Sequence, residues 1–129
     1  MRFLRKTRVL VIDDDIVSQT AISSLLTAGG YDVHVLDSPI GATRAIRDQK
    51  IDVVVCDLNM PAMRGDAFAK MFRKTSLFAK IPLVVLSAAP EKELDEIRDQ
   101  GMADGVVHKG ALRTALIPLL RKLVIAEPA

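Results

Sequence analysis

The chain has 129 residues, 50% hydrophobic and 26% charged, with a formal net charge of +2 and a sequence pI of about 8.9. That is the size and balance of one ordinary globular domain, able to bury roughly 65–70% of its unfolded surface. It excludes a disulfide scaffold, because Cys56 is the lone cysteine, and a membrane span, because no apolar stretch approaches ~20 residues.

In chain order, the basic cluster of Arg2, Arg5, Lys6 and Arg8 reads as a solvated edge rather than a nucleic-acid interface. Met1 to Lys6 has no apolar core of a secretory signal, so a cytoplasmic protein is expected. Val9-Leu10-Val11-Ile12 is a first strand, ending at Asp13-Asp14-Asp15. A helix follows to Ala28, with Asp15 as its N-cap, Ile16, Ile22, Leu25 and Leu26 at helical spacing, and Gly29-Gly30 as its stop. Tyr31 to Leu36 alternates as a second strand. Ser38-Pro39 predicts a cap and first turn for a helix to about Gln49, burying Ile40, Ala42, Ala45 and Ile46.

Ile51 to Cys56 is the third strand, stopping at Asp57. A loop from Asn59 to Gly65, including Pro61 and Ala62, leads to a helix over about Asp66 to Lys74 with Phe68, Met71 and Phe72 inward. Ile81 to Leu86 is the fourth strand, stopping at Ser87. Pro90 to about Gln100 is a charged helix with Leu94 and Ile97 as its apolar stripe, stopped by Gly101. Val106 to His108 is the fifth strand, stopping at Lys109. A last helix covers about Leu112 to Val124, and Pro118 inside it means either a kink or a later start. With aromatics at 4% and no Trp, the core is expected to be aliphatic, with Cys56 as a small core residue.

Five strand–helix units in strict alternation predict a flavodoxin-like three-layer α/β/α sandwich with a parallel sheet of order 2-1-3-4-5. Short apolar runs are the mark of strands buried on both faces. In such a sheet the ligand site lies beyond the carboxyl ends of the strands, at the switch point between strands 1 and 3. Asp13, Asp14, Asp57, Ser87 and Lys109 all fall at strand ends and should converge there. Clustered carboxylates raise one another's pKa values unless a cation relieves them, and an all-oxygen, incomplete donor set suits magnesium. Asp57 is the best nucleophile, since a carboxylate can hold a phosphoryl group as an acyl phosphate. Lys109 could pair with Asp57 and then with phosphoryl oxygens, and Ser87 could donate its hydroxyl to them. Each of these residues taken alone has a plainer reading as a cap, a strand end or a surface charge. His34 and His108 have no partners at metal-ligand spacing, and strand alternation turns His108 away from Lys109's side.

Val9 to Asp15, Asp57-Leu58-Asn59-Met60-Pro61 with Gly65, Leu86-Ser87-Ala88 and Lys109 together resemble the receiver domain of bacterial two-component response regulators, with a single-domain, chemotaxis-regulator-like extent from about Arg8 to Val124. The resemblance implies that Asp57 is the phosphoacceptor, served by a sensor histidine kinase or a histidine phosphotransfer protein. It implies Asp14 as a direct Mg2+ ligand, Asp13 as a partly water-mediated one, and the Asn59 backbone carbonyl as a further ligand. It implies Ser87 and Lys109 as phosphoryl-binding groups, and Asn59 and Ala89 as positions that influence hydrolysis. Three residues depart from the family pattern: Val106 stands where an aromatic ring usually swings inward on activation, Gly110 replaces a proline, and Pro118 interrupts the last helix.

The expectation is a stand-alone receiver over 1–129, core about 8–124, catalysing only its own phosphorylation and dephosphorylation. It would signal by contact with a downstream protein target, with no nucleic-acid or membrane partner. The alternatives are a phosphorelay intermediate or a receiver fragment of a larger hybrid kinase or regulator. A haloacid-dehalogenase-type phosphohydrolase needs a second Asp two residues after the nucleophile, where this chain has Asn59. A flavodoxin needs a Ser/Thr-rich phosphate loop after strand 1, where this chain has acids.

Overall fold

All five apolar runs read as strands join one parallel sheet. In the computed structural model, which describes residues 5–60, 63–75, 78–101 and 103–124, β1 (Arg8–Ile12), β2 (Asp32–Leu36), β3 (Val53–Asp57), β4 (Leu83–Ser87) and β5 (Gly105–His108) lie in the order β2-β1-β3-β4-β5. Helices α1 (Ile16–Ala28), α2 (Ala42–Asp48), α3 (Gly65–Lys74), α4 (Glu91–Gln100) and α5 (Leu112–Leu123) fill the connections. The flavodoxin-like sandwich expected from the alternation is present.

The apolar runs follow from burial on both faces. Every residue of β3 and β4 is buried. Val9, Val11, Val53 and Val55 meet Ile22 and Leu26 of α1 and Leu116 and Leu120 of α5 on one face. Leu10, Ile12, Val54 and Cys56 meet Ala42 and Ile46 of α2 and Phe68 and Phe72 of α3 on the other. Val85 and Val106 continue that second face under Leu94 and Ile97 of α4.

Several expectations need correction. The helix after Ser38-Pro39 opens later, at Ala42. The Ser38 hydroxyl accepts the Ile40 N–H at 3.1 Å and closes a local turn, and Gly41 takes φ 87°, a left-handed conformation cheap only for glycine. Ile40 therefore stays outside the helix and is 79% exposed, whereas Ala42 and Ile46 are buried. Ile16, in the first turn of α1 beyond the sheet edge, is exposed, and so is Met71, about 100° round α3 from Phe72 and off its buried stripe. The core is not wholly aliphatic: three of the four phenylalanines, Phe68, Phe72 and Phe78, pack together with neighbouring ring centroids 5.8 and 5.6 Å apart. The last helix begins at Leu112, as its expected extent has it, and runs through Pro118, so the later start does not hold. Pro118 and Thr114, whose carbonyl loses its donor to the proline, both lie on the exposed side, where water can serve that carbonyl. Pro61 and Ala62 of the loop after β3 lie outside the described residues.

Candidate functional site

Parallel register brings the strand ends together. Ile12 pairs with Cys56, Asp57 with Leu86, and Ser87 with His108. The residues just past these pairs, Asp13-Asp14 and Lys109, therefore share one edge with Asp57 and Ser87. Oxygen atoms of Asp13, Asp14 and Asp57 all lie within 4.8 Å of one another. Asp13 is fully buried and Asp57 nearly so, whereas Asp14 faces solvent. Three hard oxygen donors, one of them open to water, fit a divalent cation such as Mg2+ that keeps part of its hydration shell.

Lys109 begins a single 3-10 turn, Lys109–Ala111, directly after β5. Its Nζ lies 3.1 Å from Asp13 Oδ2, 3.4 Å from Asp57 Oδ1 and 3.1 Å from Ser18 Oγ. Asp13 Oδ1 accepts the Asp15 N–H at 2.9 Å, and the Asp13 carbonyl accepts from the Gln19 side-chain amide. Asp15 caps α1 as expected, accepting the Ser18 N–H at 3.0 Å and the Ser18 hydroxyl at 2.9 Å. Ser87 is buried, and its Oγ accepts the Ala89 N–H at 2.9 Å, so its own proton is free to be donated elsewhere.

The electrostatics are those of a crowded acidic pocket. Burial pushes the Asp57 carboxyl above its ordinary range, and the Asp13 charge adds to this against the opposing pull of Lys109. For Lys109, burial works against the charge, but the Asp13 hydrogen bond and the charges of Asp57 and Asp13 outweigh it and hold the ammonium above its usual value. The hydrogen bonds from Ser18 hold Asp15 below the ordinary carboxylate range. Cys56 is buried beside Asp57, and burial pushes its thiol up, consistent with an inert core role.

The histidine side chains contact groups outside the acid cluster, although His108 ends β5 at this same edge. His34 is on edge strand β2, with Nε2 3.5 Å from the Asp32 carboxylate, and His108 Nδ1 accepts the Gly110 N–H at 2.9 Å. Ser18 and Gln19 were not anticipated. Both sit in the first turns of α1, where serine and glutamine are commonplace in sequence, and only the fold brings Ser18 to a lysine 91 residues away. Val106 is 9% exposed and packed among Leu58, Val85, Leu94 and Ile97.

The family model described as Response regulator receiver domain matches residues 9–121, and the chain belongs to that family, the receiver domains of two-component systems. It is a signalling domain rather than an enzyme in the ordinary sense. Among curated proteins it is similar to the transcriptional regulatory protein ZraR of Escherichia coli K12, 36% identical over 80 residues, covering 62% of this chain and 18% of that protein. The chain thus spans less than a fifth of that relative's length. Among solved structures it is similar to the chemotaxis response regulator CheY4 of Vibrio cholerae, with TM-score 0.80 and 26% identity over 92% of this chain and 99% of that one. The receiver domain of the sensor histidine kinase PA1611 from Pseudomonas aeruginosa, solved with a magnesium ion coordinated in the active site cleft, shares the fold with TM-score 0.81 and 24% identity, covering 92% of this chain and 97% of that one. Among the described residues, no helix is long and apolar enough to cross a membrane.

Proposed function

We propose that the chain is one receiver domain, over about residues 8–124, that takes a phosphoryl group onto Asp57 from a phosphohistidine. The observation that carries this is the Asp57 carboxylate itself, buried at the end of β3 between Asp13 and the Lys109 ammonium. An Asp57 oxygen attacks phosphorus, the P–N bond to the donor imidazole breaks, and the imidazole leaves with the electron pair. Lys109 and Ser87 offer donors to the phosphoryl oxygens. Asp13, Asp14, Asp57 and the Asn59 backbone carbonyl are the residues that would hold Mg2+, which when bound neutralises the charge gathered on those oxygens. The donor is a sensor histidine kinase or a histidine phosphotransfer protein, output is by contact with a downstream protein, and the setting is cytoplasmic. The domain catalyses only its own phosphorylation and dephosphorylation.

A second reading, a relay intermediate that passes the phosphoryl group onward, is favoured by Val106. This residue is already buried beneath α4 and offers little to move on activation.

The test is transfer from a phosphorylated histidine phosphotransfer domain in the presence of Mg2+. Radiolabel should move to the wild type and not to Asp57→Asn. Equal labelling of both would remove Asp57 from the role.

A further inference from the structure

We infer that Ser18 is a positioning residue for Lys109, holding the ammonium at the place from which it meets the group on Asp57. The inference rests on the reading that Lys109 binds the phosphoryl group, and it adds a residue that reading does not contain.

An ammonium has three donors and no acceptor. Three oxygens surround Lys109 Nζ: Asp13 Oδ2 at 3.1 Å, Ser18 Oγ at 3.1 Å and Asp57 Oδ1 at 3.4 Å. The two nearer ones belong to the β1–α1 side, so they, and not Asp57, set where the ammonium rests. The Ser18 hydroxyl has one proton, and it is committed to Asp15 Oδ2 at 2.9 Å. Its lone pairs are thereby turned to Lys109, and it serves the lysine only as an acceptor. Asp15 is in turn fixed by accepting the Ser18 N–H at 3.0 Å. The helix cap therefore does more than start α1: it orients the hydroxyl that anchors the lysine.

The two anchors differ in kind. Asp13 is a carboxylate that a divalent cation would also claim, so its hold on Lys109 weakens when the acids take up metal. Ser18 is a neutral hydroxyl, a weaker claimant for a hard cation than a carboxylate. It is the anchor that persists in the loaded site. Without it, one donor of a partly exposed, flexible side chain turns to water, and the geometry set in advance for transfer is lost.

The experiment compares wild type, Ser18→Ala, Ser18→Thr, Lys109→Ala and the Ser18→Ala/Lys109→Ala double variant. Alanine suits the helix, and Asp15 keeps its bond to the backbone N–H of residue 18, so the cap survives. The first readout is lysine-ammonium NMR relaxation on protein saturated with Mg2+. Lys109 Nζ should be ordered in wild type and Ser18→Thr and mobile in Ser18→Ala. An equally ordered Nζ in Ser18→Ala would overturn the inference. The second is the phosphorylation rate from saturating acetyl phosphate with Mg2+. Ser18→Ala should be slower by roughly fivefold, the scale of one ordinary hydrogen bond, with Ser18→Thr restoring the rate. In the Lys109→Ala background the Ser18→Ala effect should vanish. If it persists there, the effect is merely structural and the inference fails. A Lys109→Ala loss beside an unchanged Ser18→Ala rate would overturn the role of Ser18 alone. A Lys109→Ala rate equal to wild type would overturn the role given to Lys109, and Ser18's with it.

Discussion

Activation should leave the face made by α4, β5 and α5 nearly unchanged. In receivers with an aromatic switch, a ring moves from exposed to buried, and the packing it gains separates the two states. Here the corresponding residue is Val106, and only 9% of it is exposed before any ligand binds. Fully burying a valine is worth about 2 kcal/mol, so the remaining tenth offers about 0.2 kcal/mol, a shift of about 1.4-fold in a two-state equilibrium. Valine is also stiff about its first side-chain torsion, and its neighbours Leu58, Val85, Leu94 and Ile97 already enclose it. A ligand shifts an equilibrium only by its differential interaction with the two states, and this residue supplies almost none. The assay is amide-resolved NMR with and without beryllofluoride and magnesium. Large shifts should be confined to the segment after Asp57 and to Ser87–Glu91. Broad shifts across Glu91–Gln100 and Leu112–Leu123 would refute the reasoning and mean that another residue has taken over the ring's part.

Further outcomes follow from the same geometry. Asp14→Ala should weaken Mg2+ binding more than Asp15→Ala in a calorimetric titration, because Asp15 is occupied in capping α1; the reverse order would contradict the assignment of the acids. In chelator, Asp57→Asn should raise the unfolding free energy measured in urea at neutral pH by roughly 1 kcal/mol, the low end for relieving a poorly compensated buried charge. The sign follows from burial, which raises the folded-state pKa of Asp57: the folded protein binds the extra proton, so this group's contribution is present below the unfolded pKa and is lost as pH rises through the folded one. The gap between variant and wild type should therefore close in acid, and a variant less stable at neutral pH would contradict it. Replacing Ala89, which has no polar side chain to orient an attacking water, by Glu or Gln should change the decay rate of the phosphorylated protein by roughly two- to tenfold; an unchanged decay would remove the position from the account.

The fold was legible because its strands are either covered on both faces or plainly alternating. Val53-Val54-Val55-Cys56 is uninterrupted because odd and even positions meet different helix layers, and its length and flanking polar residues suit a strand better than a helix. The acids were legible because Asp13, Asp14 and Asp57 stop such runs, and a parallel sheet collects its strand ends at one edge. Less visible were features decided by one local competition. The Ser38 hydroxyl could cap a helix or close a turn, and only the left-handed Gly41 decides for the turn. Met71 lies one residue from Phe72, within the ambiguity of a helical stripe. Ser18 and Gln19 could not be seen at all, because their significance lies in partners fixed by the fold: a lysine at the far end of the chain and a strand-end carbonyl. The scarcity of aromatics was misleading for a related reason, since composition counts phenylalanines but cannot tell that three of them share one layer.

The central claim is that Asp57 receives the phosphoryl group with the help of a metal held by its acidic neighbours. Intact-mass measurement after incubation with acetyl phosphate and Mg2+ tests it most directly, with Asp57→Asn and a chelated sample run alongside. The account predicts a gain of one phosphoryl group in the wild type, mapped to the peptide carrying Asp57, and none in either control. Equal labelling of wild type and Asp57→Asn, or undiminished labelling in chelator, would contradict it.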